Sequence, residues 1–469
     1  MKKVLLWLVG ILAVVLAAAV GVLWYLKIPS SLMGMAAKSV CSGAYVAGRD
    51  ADRVFEEDVL PASSLLKVIA IEPDDERRAV TARLFGVMTR TAWLIEDRGC
   101  VLDLEPFAAA DPYTPELDTT TTWPRGDAAL AQDQWPARVD AAQLNAVVEA
   151  AMVGAGDPLA ANPRGIAVVQ DGALLVLREA DGFQGGVGLH SWSMAKTVTG
   201  MLFHAIAEDR GLDPATPVVD AFPADREPDW VQQWRDDDRA AITVGDLLYM
   251  RDGLDNVEDY QPWSAVPRML WSEADAAGWA ADHPAEVPPG TRWQYLSATT
   301  NILAAVLRAQ FATDEEYWAY PRTALFEPIG ADSATLETDT DGTWLGSSYL
   351  WAKATDWARL GQLMLDDGAW DGTQVLPEGW LELATQPAVA DGEGHGYGAQ
   401  TWLLGDPLGG ECRSNPDVPA DTLAMSGHWG QEVAMVPSKD AVVVRMGWTV
   451  ADDVFDTCQF LGDVLATLP

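Results

Sequence analysis

Histidine, cysteine and basic residues are scarce in this chain, and each shortage argues against a class of function. The 469 residues include five histidines and four cysteines, and no C-x-x-C pair occurs. Without clustered cysteine and histidine ligands, we expect no zinc site and no cofactor. Lysine and arginine number 31 against 69 acidic residues, which makes the formal net charge −38. Such a surface repels phosphate backbones, so nucleic acid is a poor partner.

The N-terminus, in contrast, carries a long apolar run. Two lysines precede the uncharged residues 4–26, and a third lysine closes the run. A helix of this length can span a bilayer. We therefore expect residues 1–27 to be an uncleaved, single-pass transmembrane signal-anchor in the inner membrane, with the remainder on the periplasmic side. The alternative is a signal peptide cleaved near the alanines at 17–19.

The four cysteines agree with export. Cys41 and Cys100 lie in the first quarter of the chain, and Cys412 and Cys458 lie near its end. An even number of cysteines in an exported protein suggests disulfides. We expect the pairs 41–100 and 412–458, because each stays within its own region. Four buried thiols are the alternative.

Beyond the N-terminal run, composition divides the chain into two parts. Residues 28–125 are predicted to be an exported extension with a small β region, where strand-like runs flank a turn, and a linker rich in Pro, Thr and Asp. Residues 126–469 contain a hairpin with a D-G turn near the start and further strand-like runs near the end. Strands at both ends with helices between them predict one sheet built from distant segments. The strand-like runs are 82–88 and 91–95 in the extension, and 397–404, 422–426, 432–436 and 441–447 near the end.

A serine and a lysine three residues apart are the most informative feature of the chain. Ser193 and Lys196 open an apolar, helix-forming run over 193–209. Residues three apart on a helix share a face, so the lysine amine can reach the serine hydroxyl and take its proton. The helix N-terminus favours a neutral amine and a developing oxyanion. This is the nucleophile and base arrangement of covalent acyl transfer.

Other interpretations of this spacing remain. Ser64 and Lys67 have the same spacing, but their segment runs into the strand-like residues 68–71, and a strand places i and i+3 on opposite faces. Ser193 could also be an ordinary helix N-cap with Lys196 in solvent. A Ser-His-Asp hydrolase of the α/β type is not indicated, because no G-x-S-x-G motif occurs.

Two later segments supply further candidate groups. Tyr295 lies between a turn and a predicted helix, and a tyrosine near a lysine ammonium can have a lowered pKa and act as acid or base. The segment S-G-H-W-G-Q, 426–431, lies between two strand-like runs, where Gly430 allows a ligand backbone to approach closely. The N–H of Gln431 could join that of the nucleophile in an oxyanion hole, and His428 could bind a substrate carboxylate or assist protonation. A core tyrosine and a turn histidine without a role are the alternatives.

These three elements, in this order and separation, resemble those of the serine β-lactamase-related hydrolases. That family includes class C β-lactamases, D-alanyl-D-alanine carboxypeptidases, esterases and 6-aminohexanoate-oligomer hydrolases. The stretches 242–254, 289–295, 352–361 and 368–379 are also similar to family sequences, and the resemblance covers about 130–469. It implies an α+β fold, with a mainly antiparallel sheet flanked by helices and a helical subdomain.

The resemblance also implies a role for each candidate residue. Ser193 would be the nucleophile, Lys196 its base and Tyr295 the proton relay. The N–H groups of Ser193 and Gln431 would form the oxyanion hole, with His428 and Gly430 beside it.

Two departures from the family pattern bear on the substrate. Ser297 stands where the tyrosine element usually has asparagine, and His428 stands where β-lactamases have the lysine of K-T-G. Both departures are closer to the aminohexanoate-oligomer hydrolases and carboxylesterase-like relatives. We therefore expect a membrane-tethered serine hydrolase that cleaves a small amide or ester through an acyl-enzyme. The alternatives are a D-alanyl-D-alanine peptidase or β-lactamase, and a non-catalytic protein that binds a ligand in the same cleft; the oligomeric state stays open.

Overall fold

The described residues of the N-terminal run do not form the predicted membrane helix. The computed structural model describes residues 7–8, 10–11, 21–106, 108, 110–390, 392–451 and 453–469. Among these residues, no helix combines the length and the apolar character needed to cross a bilayer, so the predicted transmembrane helix over 1–27 is wrong. The described helical structure is interrupted at Lys27, whose φ of 57° is left-handed, and a new helix begins at Ile28. Residues 1–6, 9 and 12–20 of that prediction lie outside the described residues.

Strands from both ends of the chain form the central sheet, which confirms the prediction of one sheet built from distant segments. Its order is β12-β13-β14-β5-β6, and each neighbouring pair is antiparallel. A second antiparallel sheet, β1-β2-β3-β4, lies in the extension, and β7-β9-β8 form a third. The strands are β1 (Ile69–Asp74), β2 (Ala79–Leu84), β3 (Met88–Ile95), β4 (Gly99–Leu102), β5 (Pro163–Gln170), β6 (Ala173–Glu179), β7 (Leu189–His190), β8 (Thr335–Leu336), β9 (Leu350–Ala352), β10 (Ala369–Trp370), β11 (Thr373–Gln374), β12 (Leu423–Gly427), β13 (Gln431–Val436) and β14 (Ala441–Gly447).

Most helices lie in the chain between β6 and β12, the two segments that build the central sheet. The helices from 229 to 320 form a helical part beside this sheet. The α-helices of the described residues are α1 (Ile28–Cys41), α2 (Ala51–Val54), α3 (Ala141–Ala151), α4 (Met194–Arg210), α5 (Asp229–Arg235), α6 (Val244–Leu248), α7 (Ala265–Trp271), α8 (Ala276–Ala281), α9 (Ser297–Arg308), α10 (Asp314–Tyr320), α11 (Ala354–Leu365), α12 (Trp380–Thr385) and α13 (Thr457–Leu465). Helix α9 packs on α4, α6 and α8, and this packing brings its N-terminus to that of α4.

The central sheet is buried on both faces because its residues alternate between two hydrophobic clusters. Along β5, Ile166 and Val168 pack with α3 and α13, while Ala167 and Val169 face the larger core that contains α4. This is the period-two alternation of a strand. Helix α11 covers the second face, and a Cβ at Gly361 would lie 2.7 Å from Val442. Glycine there therefore lets α11 approach the sheet closely.

The extension is held to the rest of the chain by buried polar contacts as well as by apolar packing. Lys38 of α1 forms a salt bridge of 3.1 Å with Glu337, and both side chains are almost fully buried. Asp58 pairs with Arg164 of β5 inside the protein. Helix α1 and strand β2 belong to the same hydrophobic cluster as α4. The boundary at 125/126 stays a prediction, although the extension does share this core.

Local predictions of the strands and disulfides have mixed outcomes. The disulfides Cys41–Cys100 and Cys412–Cys458 are both present, as predicted. In the extension, the turn falls at residues 85–87, inside the predicted run 82–88 rather than at 89–90, and β2 and β3 pair on either side of it. Residues 397–404 are not a strand; isolated bridges there replace a regular ladder.

Candidate active site

Ser193 lies at the N-terminus of a helix whose first part is buried. It is the N-cap of α4, and the ten residues that follow it are buried. Burial of these residues in the core holds the first turn in place. Trp192, just before Ser193, has a φ of 45°. Such a left-handed conformation is strained for tryptophan, and backbone strain of this kind clusters at functional sites.

The Lys196 amine is surrounded by three oxygen atoms. Its Nζ lies 3.0 Å from Ser193 Oγ, 2.9 Å from Ser297 Oγ and 3.1 Å from the carbonyl oxygen of Ser347. The Lys196 side chain is 1% exposed. Burial lowers the pKa of this amine to about 8, although the negative charge of Glu258 acts in the opposite direction. About a tenth of the amine is therefore uncharged at pH 7, far more than for a lysine of ordinary pKa, and this neutral form can act as a general base.

Glu258 is a site residue that the sequence analysis missed. Its two carboxylate oxygens accept hydrogen bonds from Ser297, one from the backbone N–H at 2.6 Å and one from Oγ at 2.7 Å. Tyr260 OH lies 3.1 Å from the same carboxylate. Ser193, Lys196, Ser297 and Glu258 thus form a continuous chain of hydrogen bonds. No spacing rule signals Glu258, because a loop brings it to Ser297 from 39 residues away.

Tyr295 lies on the other side of the lysine. Lys196 Nζ is 4.7 Å from the centre of its ring, and the ring packs on Trp402 and Tyr397. Burial and the negative charge of Glu258 raise the pKa of Tyr295, while hydrogen bonding with the Ser193 side chain partly offsets this rise. The direction is opposite to the lowered pKa expected beside a lysine ammonium, because the buried amine is itself partly neutral and burial dominates. The hydroxyl is therefore protonated at neutral pH and has a proton to donate.

The segment 428–430 forms a tight loop between β12 and β13. Trp429 and Gly430 both have positive φ, 61° and 77°. The side chain of Gln431 holds the loop, because its Nε2 donates to the Gly447 carbonyl at 2.5 Å and lies 3.2 Å from the His428 carbonyl. The loop is next to the nucleophile, since a Cβ at Gly427 would meet the carbonyl oxygen of Ser191.

Aromatic rings of this loop pack against Trp192, the residue that precedes Ser193. Trp192 packs edge-on against His428 and Trp429, with ring centres 5.4 and 5.2 Å apart. Tyr260 stacks on His428 at 4.4 Å. Burial lowers the pKa of His428 to about 4, so the imidazole is neutral at pH 7. A neutral imidazole cannot attract a carboxylate by charge, which weakens that part of the expectation for His428.

The second serine–lysine pair has none of these surroundings. Ser64 and Lys67 lie on a short 3₁₀ helix, Ser64–Val68, which runs into strand β1 (Ile69–Asp74), and both side chains are exposed. Within the described ranges, no group of three His, Cys, Asp or Glu side chains could hold a metal ion.

Comparisons with known proteins identify similar sequences. The family model described as Beta-lactamase matches residues 146–451. A curated relative, the 6-aminohexanoate-dimer hydrolase of Paenarthrobacter ureafaciens, is 26% identical over 280 residues. That match covers 54% of this chain and 64% of the relative, so it spans somewhat less than two thirds of the relative's length.

Solved structures share the fold at lower sequence identity. A penicillin-binding protein homologue from Caulobacter crescentus superposes with a TM-score of 0.52 and 17% identity, covering 71% of this chain and 98% of its own. EstCE1, described as a hydrolase with promiscuous acyltransferase activity, has a TM-score of 0.51 and 16% identity, with coverages of 70% and 97%. At these identities the likeness concerns the α+β fold alone.

Proposed function

This chain belongs to the beta-lactamase family, and on that premise we propose that it is a serine hydrolase that cleaves an amide or ester through an acyl-enzyme on Ser193. The observation that carries the proposal is the contact of 3.0 Å between Lys196 Nζ and Ser193 Oγ in a buried site. The 6-aminohexanoate-dimer hydrolase among the relatives supports a small linear amide or its ester analogue as substrate.

The hydrogen bonds around Lys196 orient its lone pair toward the nucleophile. Ser297 Oγ donates its proton to Glu258, so it can only accept from the lysine. The Ser347 carbonyl is also an acceptor. A neutral amine has two N–H groups, which these two oxygens use. Its lone pair is then left for the hydroxyl proton of Ser193, and this arrangement is what a general base needs.

Acylation follows from this geometry. Lys196 takes the hydroxyl proton as Ser193 Oγ bonds to the substrate carbonyl carbon, and the carbonyl oxygen becomes an oxyanion. We assign the N–H groups of Ser193 and Gln431 to that oxygen, where each donor would contribute about 3 to 4 kcal/mol to the transition state. Tyr295 then protonates the leaving amine or alcohol and is reprotonated from the Lys196 ammonium. The bond from carbon to the leaving group breaks, and an ester on Ser193 remains.

Deacylation reverses these roles with water as the nucleophile. The Lys196–Tyr295 pair takes one proton from water, and the hydroxide oxygen bonds to the acyl carbon. The carbon–Oγ bond breaks, Ser193 regains a proton, and the acid is released. Consumption of one water thus balances the cleavage of one amide or ester.

The neutral His428 favours an amide or ester over a substrate recognised by its carboxylate. In the resemblance drawn from the sequence, this position corresponds to a lysine in β-lactamases. With the pKa of His428 lowered to about 4, a cation is absent from that side chain at neutral pH. A D-alanyl-D-alanine peptidase therefore has less support than an amidase or esterase.

Intact-mass labelling with a fluorophosphonate tests the nucleophile. Wild-type full-length chain should gain one adduct, and Ser193→Ala should gain none. Ser64→Ala is the matched control, because it removes the serine of the exposed pair, and it should label like wild type. Labelling that survives Ser193→Ala would place the nucleophile elsewhere. A folded wild type without any adduct would favour the non-catalytic, ligand-binding alternative.

A further inference from the structure

Exposed apolar side chains lie together at one end of the sheet in the extension. A turn joins β2 and β3 there, and in it Phe85 is 76% exposed and Val87 is 82% exposed. Strand β1 begins at the same end, because Ile69 pairs with Leu84. Val68 lies just beyond that pair and is also exposed. Two neighbouring segments of this sheet therefore turn large apolar side chains toward solvent.

The described end of the N-terminal apolar run lies beside this turn. Trp24 and Lys27 line a surface cleft together with Met88 and Arg90, which follow the turn on β3. Arg90 also reaches α1, because its Nη1 donates to Ser30 Oγ at 3.0 Å. Trp24 is itself exposed. Segments far apart in the sequence thus bring apolar groups to one face of the extension.

We call this group of side chains the apolar tip; its members are Trp24, Val68, Phe85 and Val87. Single exposed apolar residues are ordinary on a protein surface, whereas a group of them marks a site of interaction. Leu159 illustrates the ordinary case, since it is 80% exposed in a loop where its N–H donates to the carboxylate of Asp157.

The segments that build the apolar tip have an unusual charge. The whole chain has 69 acidic residues among 469, yet none occurs in residues 1–49, 59–71 or 77–95. The same three segments contain ten lysines and arginines. The apolar tip therefore belongs to a basic part of a strongly acidic protein.

Two of these basic side chains flank the apolar tip. Lys67 directly precedes Val68, Lys27 shares the cleft with Trp24, and both lysines are exposed. The carboxylate of Asp103 lies close to β3, but it forms a salt bridge of 2.6 Å with Arg90. The lysines thus give the surroundings of the apolar tip a positive charge.

Apolar side chains ringed by lysines match the surface of an anionic bilayer. Tryptophan and phenylalanine are favoured at the boundary between lipid headgroups and acyl chains, and lysines are attracted to anionic headgroups. A symmetric contact between two copies of the chain would instead bring the lysines of both tips together, which is unfavourable.

We propose that the apolar tip docks on the surface of an anionic lipid bilayer. Phe85 and Val87 enter the boundary between headgroups and acyl chains, and Lys27 and Lys67 lie against the headgroups. This contact needs no helix that crosses the bilayer. It gives the extension the role of holding the catalytic part of the chain at a membrane surface, and it does not depend on the chemistry proposed for Ser193.

An environment-sensitive dye at the apolar tip tests the contact directly. The four native cysteines are paired, so Val87→Cys adds one thiol that can be labelled with the dye NBD. The emission of the labelled full-length chain is measured with phosphatidylcholine vesicles and with vesicles of equal parts phosphatidylcholine and phosphatidylglycerol. It should shift to the blue with the mixed vesicles, because the dye leaves water. Leu159→Cys is the matched control and should show no shift.

The role of the lysines is tested by the partition coefficient between buffer and the mixed vesicles, measured by sedimentation. Lys67→Gln should lower this coefficient about fivefold, the usual effect of one lysine near an anionic surface. Arg138→Gln, at an exposed position of the main domain, is the control and should leave the coefficient unchanged.

The remaining outcomes would overturn the docking or part of it. No shift at residue 87, or an equal shift at residue 159, would overturn the docking itself. A shift that grows with protein concentration in the absence of vesicles would assign the apolar tip to a second copy of the chain. Equal shifts with neutral and mixed vesicles would overturn the role of the lysines. Fluorophosphonate labelling of Ser193 should be the same in every variant, so a failure of docking is distinct from a failure of the proposed function.

Discussion

The chain contains the same two-residue chemistry twice, and only one copy lies in surroundings that can activate it. Ser64 and Lys67 are exposed on a short 3₁₀ helix. Ser193 and Lys196 begin a buried helix, and their polar atoms are 3.0 Å apart. The comparison teaches that the three-residue spacing lets a lysine amine reach a serine hydroxyl but does not make the serine reactive. Reactivity depends on burial and on the hydrogen-bond partners of the amine.

Burial has two separate effects on the pair Ser193 and Lys196. It removes water from the lysine and so lowers the pKa of Lys196 to about 8. It also requires every polar atom to find a partner, and Ser297, Ser347 and Glu258 meet that requirement. An exposed lysine keeps its hydration shell, and water competes for each of its hydrogen bonds.

The largest effect is expected when the lysine of the buried pair is replaced, compared with the same replacement in the exposed pair. Lys196→Met removes the proposed base and should lower kcat for ester hydrolysis by about 10³-fold, within the range for loss of a positioned general base. Lys67→Met makes the same chemical change at the exposed pair and should alter kcat by less than twofold. Steady-state kinetics on the two variants, with circular dichroism to check folding, measure the difference. Similar losses in both would contradict the distinction drawn between the pairs.

A smaller effect is expected from Tyr295→Phe, which keeps the ring over the lysine but removes the hydroxyl. Because the hydroxyl is the proposed proton donor, kcat should fall about 10²-fold for an amide. The loss should be smaller for a p-nitrophenyl ester, whose leaving group needs no proton. Comparison of one amide and one ester of the same acid measures this contrast. Equal losses on both substrates would argue for a structural role of the hydroxyl.

The smallest effect is expected at Glu258, and it tests whether this carboxylate raises the pKa of Lys196. In wild type, kcat/KM should rise with pH as Lys196 loses its proton, around its pKa of about 8. The Glu258 carboxylate stabilises the ammonium, so Glu258→Gln should lower the pKa of Lys196. The rising limb of the plot of kcat/KM against pH should then move to lower pH. The plateau at high pH should drop by less than tenfold. Asp259→Asn, next to it in sequence, is the control and should leave the limb in place.

An unchanged limb in Glu258→Gln would mean that another group controls the pH dependence. A limb displaced to higher pH would contradict the electrostatic argument itself, because loss of a negative charge can only favour the neutral amine.

The predictable parts of the molecule follow from short stretches of sequence. The D-G turn between β5 and β6 and the strand runs after residue 421 are local patterns, and the structure contains both elements. The cysteine pairs were also assigned correctly from their regions. The N-terminal run was assigned by the same kind of local argument, and that assignment was wrong: among the described residues no helix is long and apolar enough to cross a membrane, because hydrophobicity measures apolar content and not the length of the helix that forms.

Sequence alone determined that Ser193 and Lys196 share a helix face, because 3.6 residues per turn is a property of the backbone. It also placed Tyr295 and the loop 428–430 among the candidates. Only the tertiary structure decided that Glu258 accepts a hydrogen bond from Ser297, and that Leu32 and Met35 of α1 line one cavity together with Trp192 and His428. These contacts join residues far apart in the chain, and no local pattern encodes them. The low pKa of Lys196 has the same origin, since packing around the amine removes its water.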